Sequence, residues 1–304
     1  MTVDVLEYAS DELLGLAMIM NTPIVIVEGY DDVPIYERLS AAASIDCEVY
    51  ASENILRNKA GCEGVIENVG DIRDAADGIP IEKYILGIID RDARFYRNDI
   101  PADPAILILK YYSIESHFAN SESIQYVIPK VTRATAKLMS EDLHCEINAE
   151  ITSRLMFLYL VSLEALKNAC EKNYEASFGY GHSIQSILKQ KLHESLEAKR
   201  EDLIVFGGSL GLTSSWEDLL RICKGKWLLE MFTDELYNYI KDLPGLCKAA
   251  KVSQCQFCAK GELSKCLYKN PVFFSADIMR NHFFHNLECG ELTYIKARMG
   301  RMMH

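Results

Sequence analysis

Several carboxylates follow short apolar runs in the chain, and their types and spacing suit phosphate chemistry. They are Glu28, Asp32, Asp90, Asp92 and Glu115. Asp90 and Asp92 are separated by one residue, which places hard oxygen ligands side by side and suits Mg²⁺ or Mn²⁺ bound with several waters. An acid after a strand is more often a helix cap or a solvated turn residue, so neither group decides the function alone.

The elements that must position these acids are predicted strands. Ile24–Val27 and Tyr84–Ile89 are short, continuously apolar runs, which are typical of strands buried on both faces of a parallel sheet. Ala105–Leu109 is a further strand candidate and leads to Glu115. Because ligands bind at the carboxyl ends of strands in open α/β sheets, we expect the acids to converge in one crevice.

The alternation of strands and helices ahead of residue 125 predicts an α/β fold with a mainly parallel sheet flanked by helices. The second half of the chain is predicted to be mostly helical, with Ile147–Cys170 as the longest helix. Gly207, Gly208 and Gly211 interrupt the pattern and predict a loop near residue 210. The predicted segments are a catalytic domain over 1–125, a helical region over 126–245 and a cysteine-rich element with the tail over 246–304.

Four short motifs carry a resemblance to a known family. Val27–Asp32 (V-E-G-x-x-D) and Ile88–Asp92 (I-I-D-R-D) resemble the Toprim domain of topoisomerases, primases and the overcoming-lysogenization-defect (OLD) nucleases. Tyr112–Ser116 resembles the Y-x-I-E-N segment of a Toprim-like bacterial family often found beside ABC-type ATPases, with Ser116 in place of the usual Asn. In length and motif order the chain also resembles the Toprim effectors of the PARIS anti-phage system. Gly225–Leu229 resembles the later G-K-x-L-L segment of that family.

This resemblance implies a metal-dependent nuclease with a Toprim fold. Asp90 and Asp92 are then expected to hold Mg²⁺ or Mn²⁺, with Asp32 or Glu115 completing the shell. Glu28 is expected to bind the metal or to move a proton between water and the leaving oxygen. A divalent ion in such a site activates water and neutralises charge on the phosphate.

The resemblance also implies partners and a substrate. The family works beside an ABC-type ATPase, which is expected to hold the effector inactive until a phage trigger appears. Cleavage of host RNA, in particular transfer RNA, is favoured over DNA, although OLD relatives point to DNA. Relatives commonly dimerise, so a homodimer is expected.

Composition limits the classes of function. The chain has 304 residues, of which 49% are hydrophobic and 25% charged, as is usual for a globular protein of this length. Acids stand at the N-terminus where a signal peptide would carry Lys or Arg, and Leu155–Leu166 is too short to span a bilayer. We therefore expect a cytoplasmic protein without a membrane segment.

The charge balance argues against broad contact with nucleic acid. A formal net charge of -12 does not suit a protein that coats DNA without specificity. It leaves room for a local basic patch or a basic partner. Arg91, Arg94 and Arg97 follow the aspartate pair and fit either phosphate contacts or a solvated loop.

The cysteines indicate a second site. In a cytosolic chain, ten cysteines are interpreted as buried thiols or metal ligands. Cys255 and Cys258 form a C-x-x-C pair, and Cys247 and Cys266 flank it at similar distances along the chain. Four thiolates suit a tetrahedral structural Zn²⁺ site, and unrelated buried thiols are the alternative. Other candidate ligands are His282, His285 and Cys289.

Two rival functions compete with the nuclease. A haloacid-dehalogenase-like phosphatase also uses D-x-D after a strand, but Thr or Val is expected where Arg94 stands, and the first acidic motif has no role there. A catalytically silent Toprim fold that serves as an interaction subunit is the other rival. The retained acids Glu28, Asp32, Asp90 and Asp92 argue against it.

Overall fold

The computed structural model describes residues 8–55, 59–270 and 275–302. They divide into two compact units, one formed by Met1–Ser113 with Gly290–His304 and the other by Ile114–Cys289. This division differs from the predicted boundaries near 125 and 245. The end of the chain belongs with the sheet, and the cysteine-rich segment belongs with the helices.

A four-stranded parallel sheet forms the centre of the first unit. Its strands are β1 (Ile24–Val27), β2 (Glu48–Ala51), β3 (Ile85–Ile89) and β4 (Ile106–Ile108). The order β2-β1-β3-β4 makes β1 and β3 direct neighbours. Both are buried along their whole length, which explains their continuous apolar runs. The predicted α/β class with a parallel sheet flanked by helices is therefore confirmed.

Four helices precede or connect these strands. They are α1 (Ser10–Met20), α2 (Val33–Ala42), α3 (Gly61–Ala75) and α4 (Asp92–Arg97). The core lies between the sheet and the helices α1 and α3, where Ile24, Ile26 and Ile85 are buried. Gly87 lets α3 approach β3, because a Cβ there would lie only 2.7 Å from Val65 Cγ1.

The second unit is helical. Its α-helices are α5 (Ser121–Val131), α6 (Glu141–Leu155), α7 (Leu158–Cys170), α8 (Ile184–Lys189), α9 (Arg200–Ser209), α10 (Trp216–Ile222), α11 (Gly225–Lys248), α12 (Gln256–Ala259) and α13 (Ala276–Phe283). The expectation of a mostly helical second half is confirmed. A short 3₁₀ turn, Ile114–Phe118, carries Glu115 and packs on α11.

Two predicted details of this unit are wrong. The long helix over Ile147–Cys170 is two helices, and α11 with 24 residues is the longest helix described. The break at Met156-Phe157 keeps helical dihedral angles, so no local sequence signal marks it. The predicted loop near residue 210 is present, with Gly211 at φ +74°, but it begins only after α9 ends at Ser209, so Gly207 and Gly208 lie inside the helix. A Cβ at Gly207 would come within 3.0 Å of Leu163 Cδ2 on α7, so the glycine permits close helix packing.

The chain ends in the sheet unit with helix α14 (Thr293–Met299), which packs against α2. Arg298 Nη2 donates a 2.8 Å hydrogen bond to the Pro104 carbonyl oxygen, just before β4. Across the described ranges, no helix is long and apolar enough to cross a membrane.

Candidate functional site

The acidic edge consists of Glu28, Asp32, Asp90 and Asp92, at the carboxyl ends of β1 and β3. Glu28 directly follows β1 and Asp90 directly follows β3. Since the two strands are adjacent and parallel, these residues leave the sheet at the same edge. The Asp90 backbone N–H donates a 2.8 Å hydrogen bond to Glu28 Oε1, so the fold joins the two motifs directly.

The backbone around Glu28 is also fixed. Its carbonyl oxygen accepts hydrogen bonds from the Gly61 N–H at 2.8 Å and from the Ser52 hydroxyl at 2.9 Å. Gly61 begins α3 with φ at +79°, a conformation that favours glycine. The N-terminus of α3 is thereby anchored at the end of β1. Glu28 consequently has a positioning role in the fold besides any chemical one.

Electrostatics at the acidic edge favour a bound cation. Burial raises the pKa of Glu28 from 4.5 to about 7, and the charges of Asp92 and Asp32 add to this effect. The Asp90 N–H and the Arg94 charge oppose it. Burial also raises the pKa of Asp92, whose Oδ1 accepts the Arg94 N–H at 2.6 Å. A bound cation would offset both causes, because it favours the ionised form of each carboxyl.

Two side chains that the sequence analysis did not select face the same edge. Burial raises the pKa of Cys62, in the first turn of α3, to about 12, and the charges of Glu28 and Asp92 add to it. Burial raises the pKa of Tyr36 on α2, and Asp32 and Asp90 contribute next. Tyr36 follows Asp32 by one helical turn, which is the only sequence signal that places it there.

The arginine between the two aspartates and the two arginines after them have protein contacts. Arg94 Nη2 lies 2.9 Å from Glu63 Oε1, and Arg97 Nε lies 2.5 Å from Asp99 Oδ2. The Arg91 guanidinium stacks over the Phe95 ring at 3.5 Å. A phosphate would have to compete with these contacts, so direct phosphate binding by the arginines stays a prediction.

The donor set at the acidic edge fits a hydrated divalent cation. Carboxylates are the ligands that Mg²⁺ and Mn²⁺ prefer, and Mg²⁺ often binds one or two of them and keeps several waters. Within the described ranges, no three acids bring their ligand atoms within 4.8 Å of one another. The acids of this edge therefore do not form a closed cage of ligands. Burial and the charges of two other acids disfavour the ionised form of Glu28, and a bound cation would offset this effect.

Glu115 lies in the helical unit, so its assignment to this shell stays a prediction. Within that unit the Glu115 charge affects the pKa of Lys224. Burial and the charge of Lys226 lower this pKa, and the Glu115 charge opposes them. Lys224 precedes the Gly225–Leu229 motif, and its Nζ donates to the Tyr180 carbonyl oxygen at 2.7 Å. The two later motifs therefore interact electrostatically.

The cysteine cluster consists of Cys247, Cys255, Cys258 and Cys266. All four are buried, and their sulfur atoms lie within 4.8 Å of one another, so the cluster could hold a metal ion. It is the only such group of three or more among the residues that the structure describes. Cys289 lies elsewhere, with its sulfur 3.1 Å from Asn120 Nδ2, and neither His282 nor His285 belongs to the group.

Backbone donors surround one thiol of this cluster. The Cys255 N–H donates to Cys247 Sγ at 3.3 Å. Burial opposes ionisation of Cys255, but the N–H groups of Leu267, Cys258 and Phe257 lower its pKa to about 6. Hydrogen bonds from backbone N–H groups favour a thiolate, the form that binds metal.

The comparisons with known proteins assign no family. No protein-family model matches the chain. No curated protein matches it either. Fold and sites define an α/β protein with an open acidic edge on a parallel sheet and a separate helical unit that contains a four-cysteine cluster.

Proposed function

We propose that the chain is a metal-dependent nuclease of the Toprim type, which hydrolyses phosphodiester bonds at the acidic edge. The observation that carries the proposal is the hydrogen bond between Glu28 and the backbone of Asp90. It joins the two motifs that resemble the Toprim domain at one edge of a parallel sheet. Ligand sites of open α/β sheets lie at this edge.

Each acid has a distinct role in this proposal. Asp90 and Asp92 would hold Mg²⁺ or Mn²⁺, and Asp32 would complete the shell. A divalent ion there would activate water and neutralise charge on the scissile phosphate. Glu28 orients the Asp90 backbone and holds or moves a proton at its carboxylate, a task that a buried carboxyl near other acids suits.

The substrate and partners come from the family resemblance. We propose RNA, in particular transfer RNA, as the substrate of an anti-phage effector. An ABC-type ATPase holds a homodimer of this chain inactive until a phage trigger releases it. The net charge of -12 supports a selective substrate contact, because an acidic protein does not coat nucleic acid without specificity.

The cysteine cluster is proposed to bind structural Zn²⁺. Four buried sulfur ligands match the closed tetrahedral sites that zinc occupies in proteins. Its location in the helical unit separates it from the acids of the sheet unit in sequence and in fold. Zinc would then stabilise the unit and take no part in cleavage.

Incubation of the purified chain with Mn²⁺ and either total transfer RNA or plasmid DNA tests the nuclease. The proposal is supported if the wild type cleaves RNA, the Asp90→Ala variant does not, and the Asp142→Ala variant still does. Asp142 is a matched control because it is an exposed acid on α6. Cleavage of DNA alone would favour the OLD-like alternative. If neither substrate is cleaved, with or without a co-expressed ATPase, the silent interaction subunit is the better interpretation.

A further inference from the structure

The end of the chain is built into the sheet unit. Gly290–His304 clusters with Met1–Ser113, although the cysteine-rich segment before it belongs to the helical unit. The Tyr294 hydroxyl oxygen accepts a 2.8 Å hydrogen bond from the Lys110 backbone N–H. The sheet unit is therefore completed by a phenol that lies far along the sequence from the acids.

A second contact holds the same stretch. The Tyr111 hydroxyl donates to Glu291 Oε2 at 2.9 Å, and Lys110 Nζ lies 3.3 Å from the same oxygen. Together with the Tyr294 contact, these bonds fix the backbone and two side chains of the segment 110–112 after β4. Residues near the end of the chain thus hold the segment next to the acidic edge through hydrogen bonds and an ion pair.

Backbone hydrogen bonds join that segment to the end of β3 and to the aspartate pair. The Arg91 N–H donates to the Tyr112 carbonyl oxygen at 3.0 Å, and the Leu109 N–H donates to the Ile89 carbonyl oxygen at 2.9 Å. The turn Asp90–Asp92 is consequently held from one side by Glu28 and from the other by the segment after β4. A shift of Lys110 would move the partner of Arg91, between the two proposed metal ligands.

Tyr294 also lies within electrostatic range of the acids. Burial raises the pKa of Tyr294, and the Asp90 charge is among the further causes. Tyr36 on α2 is raised by burial and then by Asp32 and Asp90, with Tyr294 next. The Asp90 charge therefore contributes to the raised pKa of both phenols. The oxygen of Tyr294 accepts the Lys110 N–H, so its own proton can be directed to another group.

We propose that Tyr294 is a positioning residue of the acidic edge. Its hydroxyl fixes the segment 110–112, and this segment sets the turn Asp90–Asp92 that binds the divalent cation. The proposal rests on the proposed metal-dependent function. It predicts that removal of a single hydroxyl, on a helix at the other end of the chain, weakens metal binding.

Two variants separate positioning from plain support of the fold. Tyr294→Phe removes the acceptor of the Lys110 N–H and keeps the ring. Arg298→Ala loosens the same helix at its contact with the Pro104 carbonyl oxygen and keeps the phenol. Tyr237→Phe is the matched control, since Tyr237 lies on α11 of the helical unit and stacks with Lys241.

The experiment measures Mn²⁺ affinity by electron paramagnetic resonance and amide exchange of the turn Asp90–Asp92 by mass spectrometry. We expect Tyr294→Phe to lose roughly tenfold in Mn²⁺ affinity, the usual effect of removing a group that supports metal ligands. The amides of the turn should exchange faster than in the wild type. Tyr237→Phe should match the wild type in both measurements.

The remaining outcomes are also decisive. If Arg298→Ala lowers Mn²⁺ affinity as much as Tyr294→Phe does, the helix only supports the fold and the inference is overturned. Wild-type affinity and exchange in Tyr294→Phe would overturn it as well. If the wild type binds no Mn²⁺, the proposed function fails, and the exchange comparison alone decides the inference: faster exchange supports it and equal exchange overturns it.

Discussion

The acidic edge and the cysteine cluster lie in different units and differ in how far the fold assembles them. The sulfur atoms of the cluster lie within 4.8 Å of one another, in a buried group that could hold a metal ion. The acids share one edge of the sheet, but no three of their oxygen ligands are gathered in this way within the described ranges.

This difference matches the different tasks that we propose for the two sites. A structural zinc site is closed, with four protein ligands, whereas a catalytic site keeps positions open for water and substrate. Carboxylates on neighbouring strand ends repel one another when ionised, so they stay apart until a cation neutralises them. An assembled sulfur cluster and an open acidic edge are thus what structural and catalytic roles require.

The largest expected effect is on cleavage by Glu28→Gln. The glutamine keeps an oxygen that can accept the Asp90 N–H and loses the charge and the exchangeable proton. We expect the cleavage rate with Mn²⁺ to fall roughly a thousandfold, as for loss of a general acid or base. Initial rates on transfer RNA measure this. Full activity of the variant would assign Glu28 to positioning alone.

A matched control exists at the same edge. Glu53 also accepts a backbone hydrogen bond, from the Tyr30 N–H at 3.1 Å, and is not one of the proposed catalytic acids. Glu53→Gln should retain cleavage within about twofold, because a surface substitution outside the site changes little. In the wild type, excess EDTA should stop cleavage, and Mg²⁺ or Mn²⁺, but not Ca²⁺, should restore it.

The second effect is on stability and falls on the cysteine cluster. Cys258→Ser removes one ligand of a closed site, and metal binding is coupled to folding. We expect the bound zinc to fall from about one per chain and the melting temperature to drop by about 10 °C, equivalent to about 3 kcal/mol. Metal analysis and calorimetry measure both.

The control for the cluster is Cys145→Ser, since Cys145 is exposed on α6 and lies outside the group. It should retain the zinc content and melting temperature of the wild type. Wild-type protein purified without chelator that contains no zinc, with four freely titratable thiols, would remove the idea. Loss of cleavage in Cys258→Ser at temperatures where the chain stays folded would contradict the separation of the two sites.

A smaller effect concerns the stability of metal-free protein against pH. The folded state raises the pKa of Glu28 from 4.5 to about 7, so folding favours the protonated form. The stabilising contribution of the protonated group is complete below pH 4.5 and is lost as pH rises through 7. We expect a decrease of about 2 kcal/mol in the free energy of unfolding across this window.

Urea unfolding in EDTA at pH 5 and pH 8 measures this decrease. In Glu28→Gln the decrease should be absent, because the amide does not titrate. Added Mg²⁺ should restore the stability that the wild type loses at pH 8. An equal pH dependence in both proteins would show that other groups cause it. Ionisation of Glu28 would then not destabilise the metal-free protein.

Sequence patterns identified both sites for the same physical reason. Continuous apolar runs such as Ile24–Val27 indicate buried parallel strands. The carboxyl ends of such strands lie at one edge of the sheet, so the residues that follow them can be placed. A C-x-x-C pair keeps its two sulfurs together on one turn, so the sequence alone was enough to group Cys255 with Cys258. Local spacing carries this information, because each motif lies within a few residues.

Contacts between distant parts of the chain were not predictable in this way. Tyr294 reaches Lys110 because the end of the chain returns to the sheet unit, and no periodicity in the sequence marks that return. The division of Ile147–Cys170 into α6 and α7 was missed because Met156 and Phe157 keep helical dihedral angles. Gly207 was interpreted as a loop residue although it serves close packing of two helices.

The smallest expected effect is on the free energy of unfolding. It concerns Ser116, the position at which the chain differs from the Y-x-I-E-N segment that it resembles. Ser116 stands where Asn is usual, beside Glu115. Its hydroxyl oxygen is buried, and no hydrogen-bond partner for it occurs in the part of the chain that the structure describes. An unpaired buried hydroxyl destabilises the folded state, so Ser116→Ala should raise the free energy of unfolding by about 0.5 kcal/mol.

Ser40 of the sheet unit provides the opposite case for this comparison. It is also buried, but its hydroxyl donates to the Glu37 carbonyl oxygen at 2.8 Å. Ser40→Ala should therefore lower the free energy of unfolding by about 1 kcal/mol. Ser116→Asn should also destabilise, by roughly 1 to 3 kcal/mol, because the larger side chain must enter a site that is only 1% exposed. Urea unfolding measures all three variants. If Ser116→Asn is as stable as the wild type, the turn beside Glu115 has room for the family residue, and the departure from the motif has no structural cost.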